Sequence, residues 1–112
     1  MNRDTMIVFS RAGMGNAPVE LQQMLAGIFL TLIGKDEPPG VVAFYGEGVK
    51  LTCEGSPVLD QLRALAAKET TLVICQTCLE FFGLRDRVQV GVVGGMGDIV
   101  AAMSFAGKVI SV

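Results

Sequence analysis

Five short runs rich in Val, Ile and other apolar residues recur along the chain, separated by longer segments with the 3.6-residue period of a helix. Gly, Pro or Ser marks most of the junctions. Strands that are joined by helical crossovers pair in parallel. The sequence therefore predicts an α/β fold, a three-layer α/β/α sandwich with a five-stranded parallel sheet. The predicted strands are Met6 to Ser10, Val41 to Tyr45, Thr70 to Cys75, Val88 to Val93 and Lys108 to Val112.

The helical segments have recognisable starts. Pro18 opens the first helix, which is predicted to run to about Ile33. Glu20 is the only charged residue in it, which indicates a helix that is covered on two sides. Ser56 is predicted as the N-cap of the next helix, with Pro57 at its first position. The remaining predictions are a short helical turn at Val49 to Cys53, a helix at Thr77 to Phe82, and a helix capped by Asp98 that runs to Ala106.

The length and composition limit the classes of protein that fit. We expect 112 residues to form a single domain, residues 1–112. Hydrophobic residues make up 51% and charged residues only 18%, too few charges for the surface of a typical monomer, which predicts a homo-oligomer. The longest apolar stretch, Met24 to Gly34, is about half of the roughly 20 residues that cross a bilayer. Without a signal-peptide pattern, the sequence predicts a cytoplasmic protein with no membrane contact, and its net charge of −2 predicts no nucleic-acid partner.

The histidine and cysteine content narrows the chemistry. The chain has no histidine, which excludes Ser/His/Asp, Cys/His and His-based zinc catalysis within one chain. It has three cysteines, an odd number that fits a reducing compartment better than a disulfide framework. A zinc site would need Cys53 to join Cys75 and Cys78 and a further ligand to complete the shell, so metal binding is disfavoured. We expect no cofactor.

The motif "CQTC" follows the third predicted strand, with Cys75 at the strand end and Cys78 in the first turn of the next helix. Ligands of parallel sheets collect at this edge, beside the loops "RAGMGN" and "GGMGD". A helix N-terminus can lower the pKa of a thiol there, which suits persulfide formation or disulfide exchange. The alternative is that both cysteines are small buried hydrophobes. The glycine loops lack a phosphate-loop pattern, and Met14 and Met96 in their tips suit a core, an interface or a pocket wall.

Several blocks together resemble a known family. They are "FYGEGVKL", "EGSPVLDQL", "ICQTCLEFFGLRDRVQVG" and "MGNAPVEL". They resemble the DsrE-like domain of YedF-type proteins, which is sulfurtransferase-like and linked to selenium metabolism, and more distantly the DsrE and TusD sulfur carriers. The resemblance implies a parallel five-stranded sheet, assembly into dimers, trimers or hexamers, and a cysteine that holds sulfur as a persulfide. A gapless comparison assigns that cysteine to Cys75, with Cys78 as an extra thiol that could resolve it; a one-turn gap would exchange the two.

The sequence thus favours a homo-oligomeric sulfur carrier, with selenium as a variant cargo. Cys75 and Cys78 are its predicted site residues. The expected donor is a cysteine desulfurase or a TusA-like protein. Two alternatives stay open at this point: an interaction module with inert cysteines, and a dithiol redox protein.

Overall fold

The computed structural model describes residues 1–112, and its strands and helices alternate along the chain. The strands are β1 (Thr5–Phe9), β2 (Val41–Phe44), β3 (Thr71–Cys75), β4 (Val92–Gly94) and β5 (Lys108–Ser111). The α-helices are α1 (Val19–Ile33), α2 (Leu59–Ala67), α3 (Gln76–Phe82) and α4 (Met96–Phe105). Two 3₁₀ helices complete the chain, Gly46–Thr52 after β2 and Arg85–Arg87 after α3.

The five strands form one parallel sheet in the order β4-β3-β2-β1-β5, which confirms the predicted fold class. From β1 to β4 each strand is added on the same side, and the chain then returns across the sheet to β5. Because crossovers between parallel strands are right-handed, α1, α2 and α3 lie on one face and α4 on the other. The sheet is therefore the middle layer of a sandwich.

Aromatic stacking in the two central strands anchors the core. All five residues of β1 are buried, as expected for a strand that is covered on both faces. Phe9 stacks on Phe44 of β2 with ring centroids 5.6 Å apart, and it meets Phe29 of α1 edge-on at 6.3 Å. These contacts fix α1 against the sheet, and 22 buried apolar residues form one continuous core.

The fourth predicted strand is wrong at its start. The prediction begins β4 at Val88, but pairing with β3 begins only at Val92. Val88 instead forms an antiparallel bridge with Cys53, and Gly91 adopts a left-handed conformation at φ +91°. A Cβ at Gly91 would lie 3.0 Å from Leu72, so the chain turns against β3 before it can extend.

The helix starts also differ from the prediction, by one residue for α1, which begins at Val19. Helix α2 begins at Leu59, because the Ser56 hydroxyl accepts a hydrogen bond from the Val58 amide at 3.2 Å and holds a turn before the helix. Helix α4 begins at Met96, two residues before Asp98. Asp98 still stabilises the helix start, since its carboxylate accepts a 2.8 Å hydrogen bond from the Gly95 amide. The predicted turn at residues 49–53 is part of the longer 3₁₀ helix Gly46–Thr52, and α3 begins at Gln76, one residue early.

Helix α1 is covered on one side only within the chain. Ala26, Leu30 and Ile33 are buried against the core. The outer face exposes six apolar side chains, Val19, Leu21, Met24, Leu25, Ile28 and Leu32. No helix has both the length and the apolar character that crossing a membrane requires.

We expect Gly91→Ala to destabilise the fold more than Gly55→Ala. Both glycines have φ +91°, so both substitutions carry the strain of a left-handed alanine, about 1–2 kcal/mol. Only Gly91 is crowded. Overpacking against Leu72 and Ile74 should lower the free energy of unfolding by about a further 1–3 kcal/mol. Urea denaturation of the two variants measures the difference. Equal losses of stability would contradict the close approach at Gly91.

Candidate functional site

The two cysteines of the CQTC motif lie at the carboxyl edge of the sheet but differ in exposure. Cys75 is the last residue of β3, and its residue surface is only 1% exposed. Cys78 lies in the first turn of α3 and is partly exposed. Both thiols are free. The motif therefore presents one thiol to solvent and keeps the other in the core.

A backbone amide from a neighbouring loop contacts the partly exposed thiol of Cys78. The Gly46 N–H donates a hydrogen bond to Cys78 Sγ at 3.1 Å. Gly46 begins the 3₁₀ helix after β2 with φ +57°, and a Cβ there would lie 3.1 Å from the Ser10 carbonyl oxygen. Glycine suits this turn because other residues pay for the left-handed conformation. In the sequence, Gly46 is recognisable only as the glycine directly after the second predicted strand, and its place beside Cys78 becomes apparent from the order of the strands.

Burial raises the pKa of the Cys78 thiol. The Gly46 amide lowers the pKa in part, and the nearby Cys75 thiol raises it. The prediction that the helix N-terminus would lower the pKa is therefore wrong for Cys78. Helix α3 has only seven residues, and the Cys75 side chain makes no capping hydrogen bond. Desolvation outweighs the single backbone donor at this position.

The charged side chains near Cys78 are engaged with each other. Lys50 forms an ion pair with Glu47 at 2.5 Å, and its Nζ lies 4.6 Å from the centre of the Phe82 ring. Phe81 packs edge-on against Phe82 and is 83% exposed. Lys50 is therefore held by Glu47 and the Phe82 ring, and no cation is among the causes of the shift in the pKa of Cys78.

Cys53 belongs to a different part of the edge. Its thiol is buried, donates a hydrogen bond to the Val49 carbonyl at 3.3 Å and has a pKa that is raised by burial. It lines a cavity of about 430 Å³ together with Glu47, Lys50 and Leu84. No three His, Cys, Asp or Glu side chains come close enough together to hold a metal ion.

The two glycine loops flank the site without adding chemistry to it. Met14 is partly buried and packs against the core, and its amide donates a hydrogen bond to the Gln22 carbonyl at 3.1 Å. Met96 begins α4 and is exposed. Met14 therefore takes the predicted core position, while Met96 is available to an interface.

The fold and site define a parallel α/β protein with a cysteine pair at the carboxyl edge of its sheet. The chain belongs to the DsrE/DsrF-like family, whose family model matches residues 6–112. The YchN protein from E. coli has a similar structure, with a TM-score of 0.69 and 14% identity over 100% of both chains. MTH1491 from Methanobacterium thermoautotrophicum, described as a protein of unknown function, is also similar, with a TM-score of 0.65 and 20% identity over 96% of this chain and 99% of its own. At these identities the two structures support the fold alone. A search of curated protein sequences found no significant match.

We expect the alkylation of Cys78 by iodoacetamide to titrate above the pH at which a cysteine in an unstructured peptide titrates. The thiolate is the reactive form, and burial raises the pKa that controls it. Gly46→Ala should raise the midpoint further, because the strained turn would move its amide away from Sγ. Tandem mass spectrometry separates Cys78 from Cys75 in the same peptide.

Gly55→Ala is the matched control for this titration. It introduces the same left-handed strain at a glycine with no neighbour within 4 Å, so the Cys78 midpoint should stay at the wild-type value. A wild-type midpoint at or below that of the free peptide would contradict the desolvation argument.

Proposed function

We propose that this protein is a sulfur carrier in which Cys78 holds sulfane sulfur as a persulfide. The observation that carries the proposal is the partly exposed Cys78 thiol, whose Sγ accepts a hydrogen bond from the Gly46 amide at the carboxyl edge of the sheet. Membership of the DsrE/DsrF-like family supports it, since that family is generally associated with sulfur relay.

Burial supports Cys78 rather than Cys75 as the carrier. Sulfur transfer between thiols requires the attacking and the attacked sulfur to approach in line. A donor cannot reach Cys75 without moving the core around it, because that residue is 1% exposed. The gapless family comparison favours Cys75, and the one-turn alternative is the assignment that fits the exposure of the two thiols.

The proposed transfer has two steps. The Cys78 thiolate attacks the outer sulfur of a donor persulfide, the donor S–S bond breaks, and the donor leaves as a thiolate. An acceptor thiolate then attacks the outer sulfur on Cys78, which leaves as a thiolate in turn. The Gly46 amide stabilises the negative charge on Cys78 Sγ in both steps. These two transfer steps need no oxidant and no cofactor.

The finer assignments belong to the same proposal. The blocks "GVKLTCEGSPVL" and C-x-T-C-L-x-F-x-G-L support kinship with the DsrE-like domain of YedF-type proteins, with selenium as an alternative cargo. The proposed donor is a cysteine desulfurase or a TusA-like protein. Three free thiols support a reducing compartment, the cytoplasm.

The proposed assembly is a homo-oligomer that forms through the outer face of α1. Met24, Ile28 and Leu32 are spaced four residues apart and form an exposed apolar ridge. The ridge forms one wall of a groove of about 690 Å³ between α1 and α2, and Gly27 and Val58 are also among its lining residues. In the proposed two-fold contact, each ridge packs into the groove of the partner. Glu20 is the only charge in α1, which favours a second copy over a charged partner.

We expect the protein to gain one sulfur atom on Cys78 when it is incubated with a cysteine desulfurase and cysteine. The gain in mass is measured on the intact protein, and tandem mass spectrometry locates it. Cys78→Ala should abolish the gain, whereas Cys53→Ala, which removes a buried thiol outside the motif, should leave it unchanged. A sulfur adduct on Cys75 would contradict the assignment to Cys78. A reversible disulfide without any sulfur adduct would support a dithiol redox protein instead.

We expect the double substitution Met24→Glu and Ile28→Glu to dissociate the oligomer, because it would bury two carboxylates in the apolar contact. A weakening of at least about 2 kcal/mol is expected for residues at the centre of an interface. Size-exclusion chromatography with light scattering measures the mass. Phe105→Glu, the same kind of change at an exposed residue of α4, should leave at least a dimer. A monomeric wild-type protein would contradict the proposal.

A further inference from the structure

The two thiols of the CQTC motif have unequal access to solvent. Cys78 is partly exposed, whereas Cys75, three residues earlier, is almost completely buried. Partners can therefore reach the second cysteine of the motif, and the first can react only with something already attached to the second. If Cys78 carried sulfur alone, the buried thiol of Cys75 beside it would have no role in the reaction.

The backbone brings the two cysteines within reach of a disulfide. Cys75 is the N-cap residue of α3, and Cys78 is the third residue of that helix. Helical geometry sets the Cα atoms of such a pair about 5–6 Å apart, inside the range that a disulfide spans. The nearby Cys75 thiol is also among the causes that raise the pKa of Cys78.

The packing limits which reaction Cys75 can undergo. Neither Cys75 nor Cys78 lines any of the four cavities, and Cys75 is part of the core. A persulfide on Cys75 would need room for an additional sulfur atom. A disulfide between Cys75 and Cys78 adds no heavy atom, and the departing sulfur leaves from the exposed thiol. The core therefore favours attack by Cys75 on Cys78 Sγ over transfer of sulfur to Cys75.

We propose that Cys75 is the resolving thiol of Cys78, able to discharge a Cys78 persulfide that no acceptor has unloaded. For the persulfide this inference rests on the proposed sulfur-carrier function. The Cys75 thiolate attacks Cys78 Sγ, the bond from Sγ to the outer sulfur breaks, and its electron pair leaves with that sulfur. The Cys75 proton goes to the departing sulfur, which is released as hydrosulfide. The sulfane sulfur is thereby reduced, and the two cysteine sulfurs are oxidised to a disulfide.

The discharged protein is inactive until it is reduced. A dithiol reductant must open the Cys75–Cys78 disulfide by thiol–disulfide exchange before Cys78 can accept sulfur again. The exposed Cys78 sulfur is the one that such a reductant reaches first. The pair thus couples the carrier to the thiol redox state of its surroundings.

The first arm of the test uses 4,4′-dithiodipyridine, which needs no persulfide. In the wild-type protein, the reagent should attach to Cys78, and Cys75 should displace it, giving two thiopyridone molecules and a Cys75–Cys78 disulfide. In Cys75→Ala, the adduct on Cys78 should persist with one thiopyridone released. Cys53→Ala is the matched control and should behave as wild type. If circular dichroism shows that the Cys75→Ala protein is unfolded, Cys75→Ser is used in its place.

The second arm loads the protein with inorganic polysulfide, removes the excess, and follows hydrosulfide release and intact mass. Wild-type protein should lose its sulfane sulfur at least about tenfold faster than Cys75→Ala, because the attacking thiol is held beside its target. Equal rates of sulfur loss in the wild type and Cys75→Ala would overturn the inference. A persulfide or a pyridylthio adduct that persists on the wild-type protein would do the same. Either result would leave the carrier function standing. If the wild type closes the disulfide with dithiodipyridine but no variant takes up sulfur, the carrier function fails and the resolving role of Cys75 stands.

Discussion

The parallel pairing of β2 with β3 is the constraint on which the site depends. Phe44 and Ile74 are paired near the carboxyl ends of the two strands, so the segments that follow them leave the sheet side by side. Gly46 follows one strand by two residues, and Cys78 follows the other by three. The amide-to-sulfur contact is thus a consequence of the register between β2 and β3, and Phe44 at the end of β2 is itself packed against Phe9 of β1. A register shift would separate donor and thiol although no side chain of the site had changed.

The electrostatics of Cys78 are those of a sheltered thiol with one backbone donor. Burial raises its pKa, and Lys50, on the 3₁₀ helix that Gly46 begins, is paired with Glu47 and the Phe82 ring. A thiol with a raised pKa is a strong nucleophile once ionised but a poor leaving group. In the proposed relay, Cys78 would therefore hold sulfur until an acceptor is positioned. The Gly46 amide would stabilise the Cys78 thiolate when it leaves. The same property directs attack by Cys75 toward expulsion of hydrosulfide.

The repeated pattern of strands and helical crossovers was sufficient to predict the fold class and four of the five strands to within a residue or two. β4 was predicted too early because Val88 and Val90 have strand propensity, while the turn at Gly91 depends on crowding by Leu72, a long-range contact. The CQTC motif could be found from its spacing and its position after β3. Which of its two cysteines is buried could not be predicted, because a three-residue spacing does not reveal which side chain faces the core. The Gly46 contact requires the order of the strands in the sheet, which the sequence leaves undetermined.

Apolar side chains remain exposed on both outer layers of the sandwich, and this bears on the proposed assembly. Met24 and Ile28 lie on α1, while Val100 and Phe105 lie on α4, across the sheet. A two-fold contact through α1 uses one patch twice and leaves the α4 side uncovered. If the α4 patch is also buried between copies, the assembly must contain a second kind of contact and more than two subunits. Cys78 is not among the residues that line the groove beside α1, so the thiol is not part of the surface that the proposed contact fills.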